Sequence, residues 1–253
     1  HGRIENEVKG MYEIANKARG KGLDPKTRVE IAPAKDLAGR VEGLVGPPGI
    51  AERIRELLKK HSREQVALRI IDEIFKSPDR YESKEKLCEQ CIRTSLGIFT
   101  EGVAVASTEG ISRIRIRENR DGTNYLAVYF VGPIRAAGGT AASLAVVAAD
   151  YTRTLAGVGV YKPSETEVER YVEEIGIYHN SIARLQYFPK EDEIRHIITN
   201  CPVCIDGEPT SLVEVSVYRD VPGVETNIVR GGMSLVVGEG IAQKATIPLT
   251  RVI

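Results

Sequence analysis

The sequence predicts an α+β fold: a helical N-terminal part, followed by a mixed part with an antiparallel hairpin and packed helices. Apolar residues before residue 102 recur at three- and four-residue steps, which indicates amphipathic helices. Residues 111–131 instead alternate with a period of two, which indicates strands. An order in which helices come first and strands follow is typical of α+β chains. We therefore divide the chain into residues 1–101 and 102–245, and leave residues 246–253 as an unassigned tail.

The helices of the N-terminal part are predicted from their apolar faces and their first residues. The first spans residues 3–20, and others span residues 36–45, 50–61, 62–78 and 83–100. Ser62 and Ser83 stand at helix starts, where a hydroxyl can accept a hydrogen bond from a free backbone N–H group. Residues 29–31 are predicted to be extended.

The mixed part begins with the hairpin, in which Ile111–Glu118 and the segment 125–131 flank an Asp-Gly turn. An Ala- and Val-rich helix follows to about residue 155, and its nearly uniform apolar character predicts burial. Ser164 is the predicted N-cap of the next helix, and residues 189–200 form another. Residues 211–219 alternate and predict a strand, residues 227–229 are predicted to be extended, and a last apolar segment follows.

Composition excludes some classes of protein and weakens others. The chain has 253 residues, with 35 Lys and Arg against 35 Asp and Glu, so any basic surface for nucleic acid must be local. Its longest apolar runs are too short to span a membrane, and no leader sequence is visible. We therefore expect a cytoplasmic protein that contacts no membrane and has no structural disulfides.

Two segments share the order strand, arginine, glycine pair, helix. We call them the first and second arginine–glycine segments: Arg135, Gly138 and Gly139, and Arg230, Gly231 and Gly232. Free N–H groups at a helix start, close approach over glycine and a guanidinium would suit a phosphate or nucleic acid. The alternative is that the glycines serve tight turns and close packing. Neither segment has the pattern of a Walker A loop or of Gly-x-Gly-x-x-Gly.

Arg113, Arg115 and Arg117 fall on one face of the first hairpin strand. Their spacing of roughly 6.5–7 Å is close to the phosphate spacing along one nucleic-acid strand. Alternatively, they lie on a solvated sheet face and pair with acids, which the neutral net charge favours.

The four cysteines form two Cys-x-x-Cys pairs, Cys88 with Cys91 and Cys201 with Cys204. Together they could form a tetrahedral zinc site. The separation of the pairs is far longer than in zinc ribbons, and the first pair lies in a predicted helix, so inert thiols are the favoured interpretation. His61, His179 and His196 have no partner at ligand or triad spacing, and the residues alone indicate no enzyme.

Several phrases in the chain resemble, in order and spacing, the N-terminal region of the large subunit of archaeal D-family DNA polymerases. The resemblance runs from about residue 10 to residue 245. It rests on residues 41–49 (VEGLVGPPG), 100–103 (TEGV), 132–141 (GPIRAAGGTA), 161–164 (YKPS), 184–187 (RLQY), 221–227 (VPGVETN) and 230–232 (RGG). The cysteines lie outside this pattern, and so does the tail at residues 246–253.

This resemblance implies a function for the whole polymerase. It implies a heterodimer that extends a DNA primer on a template with Mg²⁺, together with a small subunit that carries a 3′–5′ exonuclease. The polymerase acids and zinc modules of the family lie downstream, so no catalytic residue and no cofactor is expected in this chain. We expect a structural or regulatory domain that serves subunit assembly or the DNA path. The alternatives are a protein-interaction module without DNA contact, and a separate phosphate-binding enzyme built on the glycine pairs.

Overall fold

The computed structural model describes residues 2–23, 34–102 and 104–244, and the account below refers to these residues. Backbone contacts divide the chain into two units, His1–Lys35 and Asp36–Ile253. In the first unit, helix α1 (Gly2–Gly20) carries the predicted apolar side chains Ile4, Val8, Met11 and Ile14, and all four are exposed. The extended segment predicted at residues 29–31 and the tail at residues 246–253 lie outside the described residues.

The second unit begins with a run of short helices. These are α2 (Leu37–Leu44), α3 (Ile50–Leu58), α4 (Arg63–Phe75), α5 (Lys84–Phe99) and α6 (Ala104–Glu109). Both predicted serine caps are confirmed, because the Ser62 hydroxyl accepts from Gln65 N and the Ser83 hydroxyl accepts from Lys86 N. These caps begin α4 and α5 where the sequence placed them.

Helix α5 joins the helical and the mixed parts of the second unit. It packs against α4, against α7 (Gly138–Leu155) and against strand β1 (Ile111–Glu118). Its buried Ile92 and Leu96 belong to the same hydrophobic core as Leu126. The boundary near residue 102 stays a prediction about domains, but one core extends across it.

The strands confirm the α+β class and the hairpin. Strand β1 pairs antiparallel with β2 (Asn124–Phe130), and β3 (Cys204–Gly207), which the sequence did not predict, pairs parallel with β2. In the described residues the sheet has the order β1-β2-β3. A register shift between Ile111 and Arg113 keeps Ile111 on the core side of the sheet with Ile114.

Both faces of β2 are buried. Leu126, Val128 and Phe130 lie in the main hydrophobic core. On the opposite face, Tyr125 and Tyr129 pack in a second cluster with Ala127, Tyr161 and Cys204. The face of the hairpin that carries the β1 arginines is therefore covered at its centre.

The remaining elements cover the sheet. They are a 3₁₀ turn (Gly132–Ala137), α7, α8 (Glu165–Ile177), a π-helical turn (Tyr178–Ile182), α9 (Glu191–Asn200), α10 (Gly231–Leu235) and a π-helix (Val236–Ala242). Ser164 caps α8 as predicted, in a capping box with Glu167. Among the described helices, none combines the length and the apolar character needed to cross a membrane.

The strand predicted over residues 211–219 is wrong. Only an isolated bridge joins Glu214 to Ile228, with backbone hydrogen bonds on either side of it. The Glu173 carboxylate explains the interruption, because it accepts hydrogen bonds from the three consecutive N–H groups of residues 216–218 at 2.7–2.8 Å. These N–H groups donate to a helix side chain and therefore cannot form the backbone hydrogen bonds of a strand.

Candidate functional site

Arg230 of the second arginine–glycine segment lies in the interior, immediately before α10. Its side chain is 1% exposed. The guanidinium donates to both carboxylate oxygens of Glu174, at 2.8–3.2 Å, and its Nη1 donates to Asp206 Oδ1 at 2.6 Å. Arg230 is therefore held by two acids. Its contacts join α8, which carries Glu174, and β3, which carries Asp206, to the start of α10.

This arrangement extends into what we call the arginine–acid cluster: Arg117, Arg170, Glu174, Asp206 and Arg230. Arg170 donates to Glu174 at 3.1 Å, and Arg117 lies 3.3 Å from the second oxygen of Asp206. Burial lowers the pKa of Arg230, but the adjoining carboxylates raise it well above the ordinary value, so the side chain stays charged. Removing one partner would leave an uncompensated buried charge.

The other two β1 arginines are also paired with acids. Arg113 Nη2 donates to Glu225 at 2.9 Å, and its guanidinium carbon lies 4.2 Å from the centroid of the Tyr129 ring. Arg115 lies 3.4 Å from Glu85 on α5. These contacts agree with the alternative that the β1 arginines pair with acids. DNA contact by these arginines stays a prediction.

Arg135 of the first arginine–glycine segment lies nearer the surface. Its Nη2 donates to Glu239 Oε1 at 2.8 Å and to the Arg184 carbonyl at 3.0 Å, and the side chain is 39% exposed. Glu239 is buried and also accepts from Gln186 N. The Arg135 guanidinium therefore keeps donors that face solvent, unlike that of Arg230.

The glycine pairs serve close packing between the two segments. A Cβ atom at Gly139 would lie 2.1 Å from the Glu239 carbonyl oxygen, and one at Gly232 would lie 2.2 Å from the Phe130 backbone. Gly231 is similarly crowded by Thr210. Gly138 has open space but a φ of +77°, which favours glycine. Because protein atoms fill the space over the crowded glycines, these contacts support the packing alternative over a phosphate loop.

The described structure does not bring the four cysteines together as a set of metal ligands. Cys88 and Cys91 are buried in α5, and among the described residues no three His, Cys, Asp or Glu side chains are placed to hold a metal ion. Burial raises the pKa of Cys88 to about 12 and that of Cys201 to about 11, so both thiols are protonated near neutral pH. Cys88, Cys91 and Cys204 are buried as inert core thiols are, whereas Cys201 is half-buried.

Sequence reasoning missed the acids that hold Arg230. Glu174 could have been suspected, because it stands four residues after Arg170 on a predicted helix and the two can pair. Little in the sequence indicated Asp206, because its strand β3 is only four residues long. Its burial depends on parallel pairing with β2, which local pattern does not reveal.

The fold and the cluster define an α+β domain in which buried ion pairs tie helix, sheet and loop together. Residues 1–252 match the family described as "DNA polymerase II large subunit DP2, N-terminal". The chain belongs to this family.

Curated relatives named "DNA polymerase II large subunit" agree with that assignment. The chain is 55% identical to the protein of Methanothermobacter thermautotrophicus over 96% of its own length and 22% of the relative. It is 54% identical to that of Methanocorpusculum labreanum over 92% of the chain and 20% of the relative. It is 52% identical to the protein of Pyrococcus furiosus over 96% of the chain and 19% of the relative. The chain thus spans about a fifth of these relatives.

Proposed function

We propose that this chain is a structural domain at the N-terminal side of the large subunit of an archaeal replicative DNA polymerase. In this proposal the enzyme copies a DNA template from a primer, and a small subunit contributes a 3′–5′ exonuclease. The observation that carries the proposal is identity of more than half to large subunits of DNA polymerase II along almost the whole chain. A cytoplasmic location follows, since the proposed substrate is archaeal chromosomal DNA.

We assign the chemistry of nucleotide transfer to other parts of the polymerase. The family resemblance implies Mg²⁺, which carboxylate and other oxygen ligands bind. The acids at the centre of this domain do not fit that role, because Glu174 and Asp206 are engaged by arginines at 2.6–3.2 Å. In the described residues, no other set of side chains is placed to hold a metal. We propose that the domain contributes shape and binding surface.

For contact with DNA we propose Arg135 and leave out Arg230. Arg135 keeps solvent-facing donors, whereas the Arg230 side chain is 1% exposed and ion-paired. A phosphate contact contributes to affinity and to its dependence on salt. In the assembled full-length polymerase, we expect Arg135→Ala to weaken primer–template binding and to reduce the salt slope by about 1.

The matched control for this experiment is Arg53→Ala. Arg53 is also a partly exposed arginine in an ion pair, with Glu73 on the adjacent helix. Its removal should leave affinity and slope unchanged. Equal affinities and slopes for the parent and Arg135→Ala would contradict the assignment of Arg135 to the DNA path.

The second candidate is a protein-interaction module for subunit assembly without DNA contact. It is favoured by the formal net charge of +0 and by the ion pair that Arg135 already makes with Glu239. Co-purification of this domain with the small subunit, beside a mobility-shift assay on primer–template, separates the two candidates. Small-subunit capture without any DNA shift would favour the interaction module.

A further inference from the structure

An exposed aromatic ring stands among basic side chains in the loop between α8 and α9. Phe188 is 47% exposed, although a side chain of this kind is usually buried. One face of its ring stacks on His179, with the centroids 4.3 Å apart and the planes 13° from parallel. Arg184 contacts His179, Arg135 donates to the Arg184 carbonyl, and Lys190 follows Phe188 by two residues. We call these five residues the aromatic–basic surface.

The hydrogen bonds of His179 leave a place for an anion beside Arg184. Its Nδ1 faces the backbone N–H of Leu185 at 3.1 Å, and its Nε2 faces the Arg184 Nη1 at 3.0 Å. Both partners are donors, whereas a neutral imidazole ring has a single acceptor nitrogen and can satisfy only one of them. An anionic oxygen beside the ring can accept the hydrogen bond that the histidine leaves unmade.

The loop that carries these groups is held in place by hydrogen bonds to its backbone and side chains. Gln186 N donates to the buried Glu239 at 2.8 Å, and the Arg184 carbonyl accepts from Arg135 at 3.0 Å. Tyr187 OH donates to Glu193 at 2.9 Å on the first turn of α9. The surface is therefore preorganised, which lowers the entropy cost of binding.

The acids near this surface are already engaged by this chain. Glu239 binds Arg135 and Gln186, and Glu193 accepts from Lys190 N as well as from Tyr187. Glu191 and Asp192 share Arg195 with Glu169, at 2.6–3.0 Å. In the part of the chain that the structure describes, neither Arg184 nor Lys190 has a carboxylate within ion-pair distance, but Lys190 interacts electrostatically with Glu193. The charge of Arg184 is thus available to an anionic partner.

We infer that the aromatic–basic surface binds a single-stranded segment of DNA, with one base stacked on Phe188 and a phosphate held by His179 and Arg184. The inference rests on the proposed polymerase function and adds the form of DNA and its contact residues. Stacking needs an unpaired base, whose face is free, so a duplex cannot use the ring. Basic side chains beside an aromatic ring are the combination that single-strand binding surfaces share.

The test measures binding of the assembled full-length polymerase to a fluorescein-labelled oligothymidylate of about 20 nucleotides, a length above common site sizes. We expect Phe188→Ala to weaken this binding by roughly 5- to 100-fold, as loss of a stacked base does. Phe188→Leu keeps an apolar side chain and should be equally weak, whereas Phe188→Trp should retain affinity. Binding to a blunt duplex of the same length should change by less than about 2-fold, since its bases are paired.

Arg184→Ala tests the phosphate contact separately. It should weaken oligothymidylate binding and reduce the salt slope by about 0.7, the value for one phosphate on a single strand. The matched control is Leu212→Ala, which removes an apolar side chain that is 96% exposed elsewhere on the surface. This control should bind as the parent does.

The outcomes separate this inference from the proposed function. If the parent extends primers and binds oligothymidylate, but Phe188→Ala and Phe188→Leu bind it within about 2-fold of the parent, the inference is overturned and the polymerase function stands. Unchanged single-strand binding with loss of the small subunit would also overturn it, in favour of a protein interface. Failure of the parent to bind or extend DNA would instead overturn the proposed function.

Discussion

The two arginine–glycine segments have the same order of residues but place their arginines in different surroundings. Arg230 is 1% exposed and paired with Glu174 and Asp206, whereas Arg135 is 39% exposed and paired with Glu239 alone. The comparison teaches that a shared order of residues determines neither burial nor local backbone geometry, because Arg135 lies in a 3₁₀ turn whereas Arg230 is extended and directly precedes α10. Burial depends on what the rest of the chain brings to each arginine.

The glycine pairs explain why the pattern occurs twice. Gly139 of the first segment lies against the backbone of Glu239, in the helical region that follows the second segment. Gly232 of the second segment lies against Phe130, in the strand that precedes the first. Each pair thus lets its helix approach backbone of the other segment, at distances that a side chain would prevent.

The largest expected effect is the loss of Arg230. Arg230→Ala should reduce the free energy of unfolding by about 3–5 kcal/mol, because Glu174 and Asp206 would keep buried charge without a partner. Arg135→Ala should cost about 1–2 kcal/mol, since solvent can reach that site. Urea unfolding of the 253-residue chain measures both changes. Equal losses would remove the structural distinction between the two arginines.

A smaller difference is expected between the glycines. Gly232→Ala should cost about 3 kcal/mol, since the new Cβ meets backbone atoms that cannot move aside. Gly138→Ala should cost about 1 kcal/mol, through backbone strain at positive φ alone. The same unfolding measurement serves as the readout. If Gly232→Ala left the free energy of unfolding unchanged, the two segments would not pack as closely as described.

The Glu173 contact should make the loop after β3 sensitive to acid. Burial raises the pKa of Glu173, but the three backbone N–H groups of residues 216–218 and Arg170 bring it below its ordinary value. A carboxyl group whose pKa is lowered in the folded state stabilises the fold at pH values above its ordinary pKa. This stabilisation is lost as the pH falls. Glu173→Gln should therefore be about 1 kcal/mol less stable near neutral pH.

The pH profile of that variant provides the check. The gap in unfolding free energy between the parent and Glu173→Gln should narrow as the pH falls below about 4, where both side chains become neutral. A gap that does not depend on pH would show that the charge of Glu173 contributes nothing to the loop.

The smallest effect is expected at the cysteines. The half-buried Cys201, with a pKa of about 11, should react first with a thiol reagent near neutral pH, and Cys88, with a pKa of about 12, much later. A chelator should leave the melting temperature unchanged. Tightly bound zinc at one equivalent per chain would contradict the assignment of the cysteines to packing.

Local sequence patterns predicted much of this fold. The serine caps, the period-two hairpin and the apolar helix α7 depend on neighbouring residues, so a single sequence contains their signals. β3 was missed because its four residues form a strand only through parallel pairing with β2. The strand at residues 211–219 was wrongly predicted because Glu173, about 40 residues away in sequence, takes its donors.

The candidate site was predictable only in part. The sequence identified Arg135 and Arg230 together with their glycines, and it offered packing as the alternative role for the glycines. It could not assign Glu174, Asp206 and Glu239 as partners, since tertiary folding brings these acids to the arginines. The aromatic–basic surface was missed for the same reason, because the exposure of Phe188 and its stacking on His179 depend on the fold.

The most direct test of the distinction between the segments is a pair of double-mutant cycles on unfolding free energy. One cycle removes Arg230 and Glu174 singly and together, and the other removes Arg135 and Glu239. We expect a coupling free energy of about 3 kcal/mol for the buried pair and about 1 kcal/mol for the partly exposed pair. Equal couplings, or a larger coupling at Arg135, would contradict the conclusion that Arg230, and not Arg135, is an internal structural ion.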